Sequence, residues 1–223
     1  MAAGAQTQLL IDIVRLRIAE PYAGTVQDVD IAKFITLAQQ DLIFRLPSAA
    51  LWFCTETEET TIVADQSSYL LETVDISAPS FFYEVNVVWK DISAKRWEPE
   101  HIRKLRGTSD LQPSDDQPYY VIHDDSIEFL FTAVQAGADV FSVEYVKVPA
   151  DIDIGVGAVD MTFPKQYNPI IANFVSAKCF EVRGNDAAHD KAFATYLEAV
   201  AKANESYERG DQVDQFQADV RRV

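Results

Sequence analysis

Apolar residues recur along this chain with two different periods, and the change of period divides it into three regions. From about Ala5 to Ala19, Leu9, Ile13 and Leu16 share one helical face, with Leu10 and Val14 beside them. That spacing predicts a helix, and Glu20-Pro21 ends it because proline disfavours the helical region for its predecessor. A loop follows at Tyr22-Ala23-Gly24. A second helix starts near Asp28 or Asp30, either of which can cap it. Its stripe is Ile31, Phe34, Ile35, Ala38 and Leu42, and Pro47 closes it. Two short amphipathic helices are not stable alone, so both must pack against something else.

From Leu51 the period shortens. LWFCTETEETTIV is rich in aromatic, threonine and β-branched residues, as strands are. Further strands are predicted at Ser68–Leu71, Phe81–Trp89, Tyr119–His123, Ile127–Phe131 and Val140–Val148. His123-Asp124-Asp125-Ser126 is good turn chemistry, so Pro118–Phe131 should be a hairpin. Ile127, Phe129 and Phe131 alternate with Glu128 and Leu130, as a mostly buried strand would. Pro99–Leu105 is expected to be a short helix, with Pro99 at its first position, and Gly107–Gln117 a polar, mobile loop.

The third region returns to helical spacing. After an acidic connecting loop over Asp151–Asp160, Phe163-Pro164 leads into a helix from about Lys165 to Val182, with Tyr167, Ile171, Phe174 and Val175 on its apolar face. Gly184-Asn185 breaks it. A last helix from about Ala187 to Glu208 carries Phe193, Leu197, Val200 and Tyr207, and Gly210 ends it. The polar tail Asp211–Val223 is expected to be disordered or captured by a partner. The fold class is therefore α+β. Residues 1–48 and 161–210 make one discontinuous helical bundle, 49–160 an inserted antiparallel β-sheet or sandwich, and 211–223 a flexible tail.

Composition narrows what such a chain can do. Its 223 residues suffice for one core, or one core and a satellite. No run of about 18 apolar residues exists, so no membrane span is expected. The opening MAAGAQTQLLIDIVRLR has no basic stretch ahead of its apolar one, which argues against a secretory signal. Cys54 and Cys179 are too few for a disulfide scaffold and read as two buried thiols. The formal charge of −16 opposes binding to DNA phosphates, which draws its affinity from lysine and arginine. The same repulsion suits a surface past which DNA must slide without sticking.

Candidate chemistry is sparse. His101, His123 and His189 lie one to a region, with no metal-ligand companion at i+3 or i+4. Asp151-Ile152-Asp153-Ile154-Gly155 resembles the start of a calcium loop, but position twelve is Thr162 instead of a closing acid. Gly155-Val156-Gly157 lacks the third glycine of a dinucleotide fingerprint and the Lys-Ser/Thr of a phosphate loop. Cys54 or Cys179 with His123 would be the pair for a nucleophilic site assembled from distant residues. Arg209-Gly210-Asp211 matches an integrin-binding tripeptide, though Gly210 is explained as a helix terminator. Phe81, Phe82, Tyr83, Trp89, Trp97, Tyr119 and Tyr120 lack the interleaved basic residues of a nucleic-acid platform, and suit a β-core or protein interface. No catalytic, cofactor-binding or metal residue is predicted, and the chain is read as not an enzyme. The rival reading is a small enzyme or ligand-binding domain whose site comes together from distant residues.

Several elements, taken in order, resemble the head-to-tail adaptor (connector) proteins of tailed bacteriophages, including the tubular tail adaptors of short-tailed phages. A helix pair ends in Leu46-Pro47 and leads to Leu51-Trp52-Phe53. Gln66-Ser67-Ser68-Tyr69-Leu70-Leu71 follows, then a long strand into Trp89. Gln117-Pro118-Tyr119-Tyr120 opens the hairpin, and Tyr145-Val146-Lys147-Val148-Pro149 closes the last strand. Phe163-Pro164-Lys165-Gln166-Tyr167 enters the C-terminal helix pair, which Gly184-Asn185-Asp186 divides. The resemblance implies a virion neck protein assembled in the host cytoplasm. It implies a homo-oligomeric ring of twelve copies that binds the portal and the tail or nozzle proteins. Transiting DNA would pass without sequence-specific binding during ejection, and no membrane or cofactor is involved.

Overall fold

The computed structural model describes residues 4–20, 24–61, 68–70, 85–89, 92–98, 118–123, 126–130, 140–152, 154 and 160–208. The expected helix at 99–105, the loop at 107–117 and the tail from Asp211 lie outside them. So do His101, Phe81–Tyr83, Gly155–Gly157 and the Arg209–Asp211 tripeptide. The chain divides into two compact units, Met1–Cys54 with Val148–Val223, and Thr55–Lys147.

Among the described residues the first unit contains four α-helices: α1 (Ala5–Arg17), α2 (Asp28–Arg45), α3 (Asn168–Val182) and α4 (Asp186–Glu208). Of these, α3 is the central one. It packs against α1, α2 and α4 and buries Ile171, Ala172, Phe174, Val175, Ala177 and Cys179, so apolar residues run almost all round it. The predicted Tyr167, Ile171, Phe174 and Val175 are all buried, although Lys165–Tyr167 is a 3-10 turn leading into the helix. α1 departs from expectation: its buried face is Leu10, Ile11, Val14 and Ile18, whereas Leu9 and Leu16 point to solvent. Two apolar stripes run along this helix, and the pattern alone gave no reason to prefer the inner one. α4 buries Tyr196 and Val200; of the expected stripe Phe193 and Tyr207 are half-buried and Leu197 is exposed.

Helix ends follow local chemistry. α1 closes in a Schellman motif: the Glu20 N–H donates to Arg15 O (3.0 Å) and the Ala19 N–H to Leu16 O (3.3 Å). Ala19 takes the left-handed position at φ 55°. α3 closes the same way, from Asn185 to Phe180 O (2.9 Å) and Gly184 to Glu181 O (2.9 Å), but here a glycine holds the left-handed position at φ 67°. Neither Asp28 nor Asp30 caps α2. Gln27 precedes the helix, and Asp30 acts from its third position by accepting the Gln27 N–H at 3.2 Å. Leu46 is extended, as a residue before proline must be, and stops the helix there.

Among the described residues the second unit holds eight strands in two sheets. One runs β1 (Thr55–Thr61), β8 (Val140–Val146), β3 (Val85–Trp89), β4 (Ile92–Ser93), with every pair antiparallel. The other runs β2 (Ser68–Leu70), β7 (Ser126–Leu130), β6 (Tyr119–Ile122), β5 (Lys95–Arg96). The predicted hairpin is β6–β7, with Ile122 opposite Ile127 and the His123 N–H donating to Ser126 O at 2.8 Å. The expectation of antiparallel pairing fails once, because β5 runs parallel to β6. Alternation sets the inward faces: Phe141, Val143 and Tyr145 of β8 are buried beside Val87 and Trp89 of β3.

Leu51-Trp52-Phe53 is also not strand. Residues Trp52–Cys54 form a 3-10 turn and β1 begins at Thr55. The turn places Phe53 edge-on to Phe163 (centroids 4.9 Å) and beside Tyr167 (5.6 Å). Two motifs separated by more than a hundred residues thus meet in one aromatic cluster of the helical unit. Tyr167 extends it through a 2.8 Å hydrogen bond to the Tyr207 hydroxyl. Burial pushes the Tyr167 pKa well above the ordinary phenol range.

Candidate functional site

The described histidines and cysteines lie on separate elements. Among the described residues no group of three or more His, Cys, Asp or Glu could hold a metal ion. His123 faces Glu128 at 3.1 Å across the β6–β7 hairpin. His189 sits on α4, 3.0 Å from Asp190 and stacked on Phe193. Both cysteines are free and buried. Burial pushes the Cys179 thiol up to about 12, which disfavours the thiolate a nucleophile needs. His123 and Cys179 belong to different units.

What the structure does build in the helical unit is a set of polar ties between segments remote in sequence. Asp160 substitutes for a missing cap on α1: its Oδ1 accepts the N–H groups of Gln6 (2.9 Å) and Thr7 (3.1 Å). A side chain on Gly4 would meet the Asp160 carboxyl at 2.5 Å, so only glycine fits the approach. Gln6 Nε2 donates to Phe163 O (2.9 Å) and Asn168 Oδ1 (3.0 Å). Gln39, wholly buried on α2, accepts the N–H groups of Thr162 (2.8 Å) and Phe163 (3.2 Å). Thr36 accepts the Ile152 N–H at 3.0 Å. The segment expected to be a plain acidic loop is therefore tied to α2 at Ile152 and to α1 at Asp160. Thr36 and Gln39, polar residues at core-facing positions of α2, were the signal for it.

Two arginines close the other end. Arg15, its side chain only 7% exposed, pairs with Asp28 and donates to Val26 O at 3.2 Å, locking the connection from α1 to α2. Arg183 donates to Ile18 O at 2.6 Å and pairs with Glu20 at 3.2 Å, tying the ends of α1 and α3. On α4, the buried Tyr196 donates its hydroxyl to Asp41, which also pairs with Arg45 at 2.5 Å. Burial, then the bond to Asp41, raises the Tyr196 pKa far above normal.

The surfaces left over differ between units. On the helical unit, Leu9 and Leu16 of α1 and Val29, Leu37 and Phe44 of α2 are large apolar side chains in solvent, as are Trp52, Val182 and Leu197. A groove of about 530 Å³ runs beside α2, lined by Val29, Lys33, Thr36, Leu37, Asp151 and Ile152. Charge gathers in the other unit: Thr55–Lys147 holds 18 acidic and 7 basic residues, net −11, against 17 and 12, net −5, elsewhere. Among the described residues no helix is long and apolar enough to cross a membrane. Apolar outer helix faces and a concentration of acidic residues are features of assembly and electrostatics.

A protein-family model described as SU10 adaptor protein matches residues 7–222, almost the whole chain. No curated protein matches it.

Proposed function

The chain is a member of the SU10 adaptor protein family, structural adaptors of bacteriophage virions, and from that premise we propose that it forms the ring joining portal to tail. In this reading it has no catalytic role. Twelve copies close head to tail through heterologous contacts, dock beneath the portal, and present a platform to the tail or nozzle proteins. DNA passes through the lumen during ejection. The excess of acidic residues keeps its phosphates from sticking, because a surface of net negative charge offers no counterion release. The discontinuous domain layout, 1–48 with 161–210 around an inserted β region, gives each subunit two separate sets of surfaces for two neighbours. The segment from Asp211 onward orders when it binds the portal.

The family match over residues 7–222 is the observation that carries this reading. Mixing the chain with its cognate portal and imaging by negative stain tests it, with a ring on one portal face expected. Deleting Asp211–Val223 should weaken capture while leaving the melting temperature unchanged. Failure of the full-length chain to decorate the portal would overturn the reading.

A further inference from the structure

Helices α1 and α2 are each apolar on two faces, and only one face of each is used within the subunit. On α1 the bundle covers Leu10, Ile11, Val14 and Ile18, while Leu9 and Leu16 stand 48% and 74% exposed on the opposite side. Asp12 lies between them, also exposed. At 3.6 residues per turn, these three occupy an arc of about 60°. On α2 the exposed Val29 (48%) and Leu37 (45%) flank the exposed Lys33, and all three line the 530 Å³ groove. The first pattern is apolar–acidic–apolar and the second apolar–basic–apolar. Their spacings also match when the helices run antiparallel: Leu16 to Asp12 and Val29 to Lys33 are each four residues, about 6 Å along the axis. Leu9 and Leu37 then fall opposite one another within about 2 Å.

We propose that the outer face of α1 in one copy docks antiparallel in the groove beside α2 of the next copy. Leu16 covers Val29, Leu9 covers Leu37, and Asp12 meets Lys33. This rests on the ring reading above and identifies the neighbour contact. Complementarity between two faces of one chain favours a second copy over a foreign partner, which would have no reason to match both. The two patches are on different helices, and in the ring reading the contact between them is heterologous and repeats from subunit to subunit. It also uses the unit of net charge −5, where chains of net −16 repel one another least.

Cysteine pairing and charge exchange test this directly in the full-length chain assembled on its portal. Asp12→Cys combined with Lys33→Cys should give a ladder of linked subunits under mild oxidation, and neither single substitution should. Asp12→Lys or Lys33→Asp alone should weaken the neighbour contact roughly threefold, and the two together should restore it. If wild-type rings form but the double-cysteine chain stays monomeric, the interface is wrong while the ring reading stands. Linked dimers from Asp12→Cys alone, or linkage of Lys33→Cys to the portal, would overturn it as well. A wild-type chain that forms no ring on the portal would instead sink the ring reading itself.

Discussion

The helical unit and the β unit hold themselves together by opposite means. In the helical unit side-chain to backbone bonds join segments far apart in sequence, as Asp160 does to α1, Gln39 to Thr162 and Arg183 to Ile18. Its core closes around α3, and its outer helices keep spare apolar faces. In the β unit polar contacts follow the strand register: Tyr145 pairs opposite Glu56 and donates to it at 3.1 Å, and Asn86 opposite Glu144 at 2.9 Å. Its edge strand β1 carries Glu56, Glu58 and Glu59. Acids on an edge discourage unwanted pairing with another sheet. One unit is thus built with surface to spare for packing, and the other with charge that repels.

The largest test of this contrast is core truncation in each unit. Phe174→Ala should cost about 3–5 kcal/mol in the helical unit, and Phe141→Ala a similar amount in the β unit. Denaturation followed by separate probes should show each substitution shifting its own transition. A loss below about 1 kcal/mol at either position would refute that placement. Next in size, Arg15→Met should cost about 2 kcal/mol, because it leaves Val26 O and Asp28 without their donor near the core.

Alkaline titration should affect both units. Burial raises Cys179 from 9.0 to about 12, and burial with the Glu56 hydrogen bond raises Tyr145 from 10.0 to about 12. Both groups fold in the protonated form, so their contribution is complete below about pH 9 and is lost as pH rises toward 12. Urea midpoints should therefore hold steady from pH 7 to 9 and fall beyond it, with Cys179→Ala removing part of the fall. A midpoint that rises above pH 9 would contradict these assignments. The smallest effects belong to the two Schellman ends. Ala19→Gly should stabilise the protein by about 0.5–1 kcal/mol and Gly184→Ala should destabilise it by about 1 kcal/mol, read from the same urea curves.

Element type was legible where a single period dominated. α2, α3 and the β6–β7 hairpin lie where spacing and turn residues place them, and Gly184-Asn185 and Pro47 terminate helices for the reasons their side chains supply. Errors arose where two readings were locally equal. α1 has two apolar stripes, and only contact with α3 decides that Leu10, Ile11 and Val14 face inward. Leu51-Trp52-Phe53 has strand composition, yet Phe53 lies against Phe163 and Tyr167, and the 3-10 turn serves that contact. The outward-facing surfaces were not legible, because exposure of an apolar residue depends on its neighbours.

By itself the sequence determined the α+β class, the order of helical, β and helical regions, and membership of an adaptor family through motifs held in order. These follow from local periodicity, proline and glycine placement, and residue identity. Tertiary structure alone decided which apolar face of α1 is core, why Gly4 must be glycine beside Asp160, and which polar residues join the chain's distant halves. Such outcomes depend on residues more than a hundred positions apart coming within hydrogen-bonding reach, and no local pattern encodes that distance.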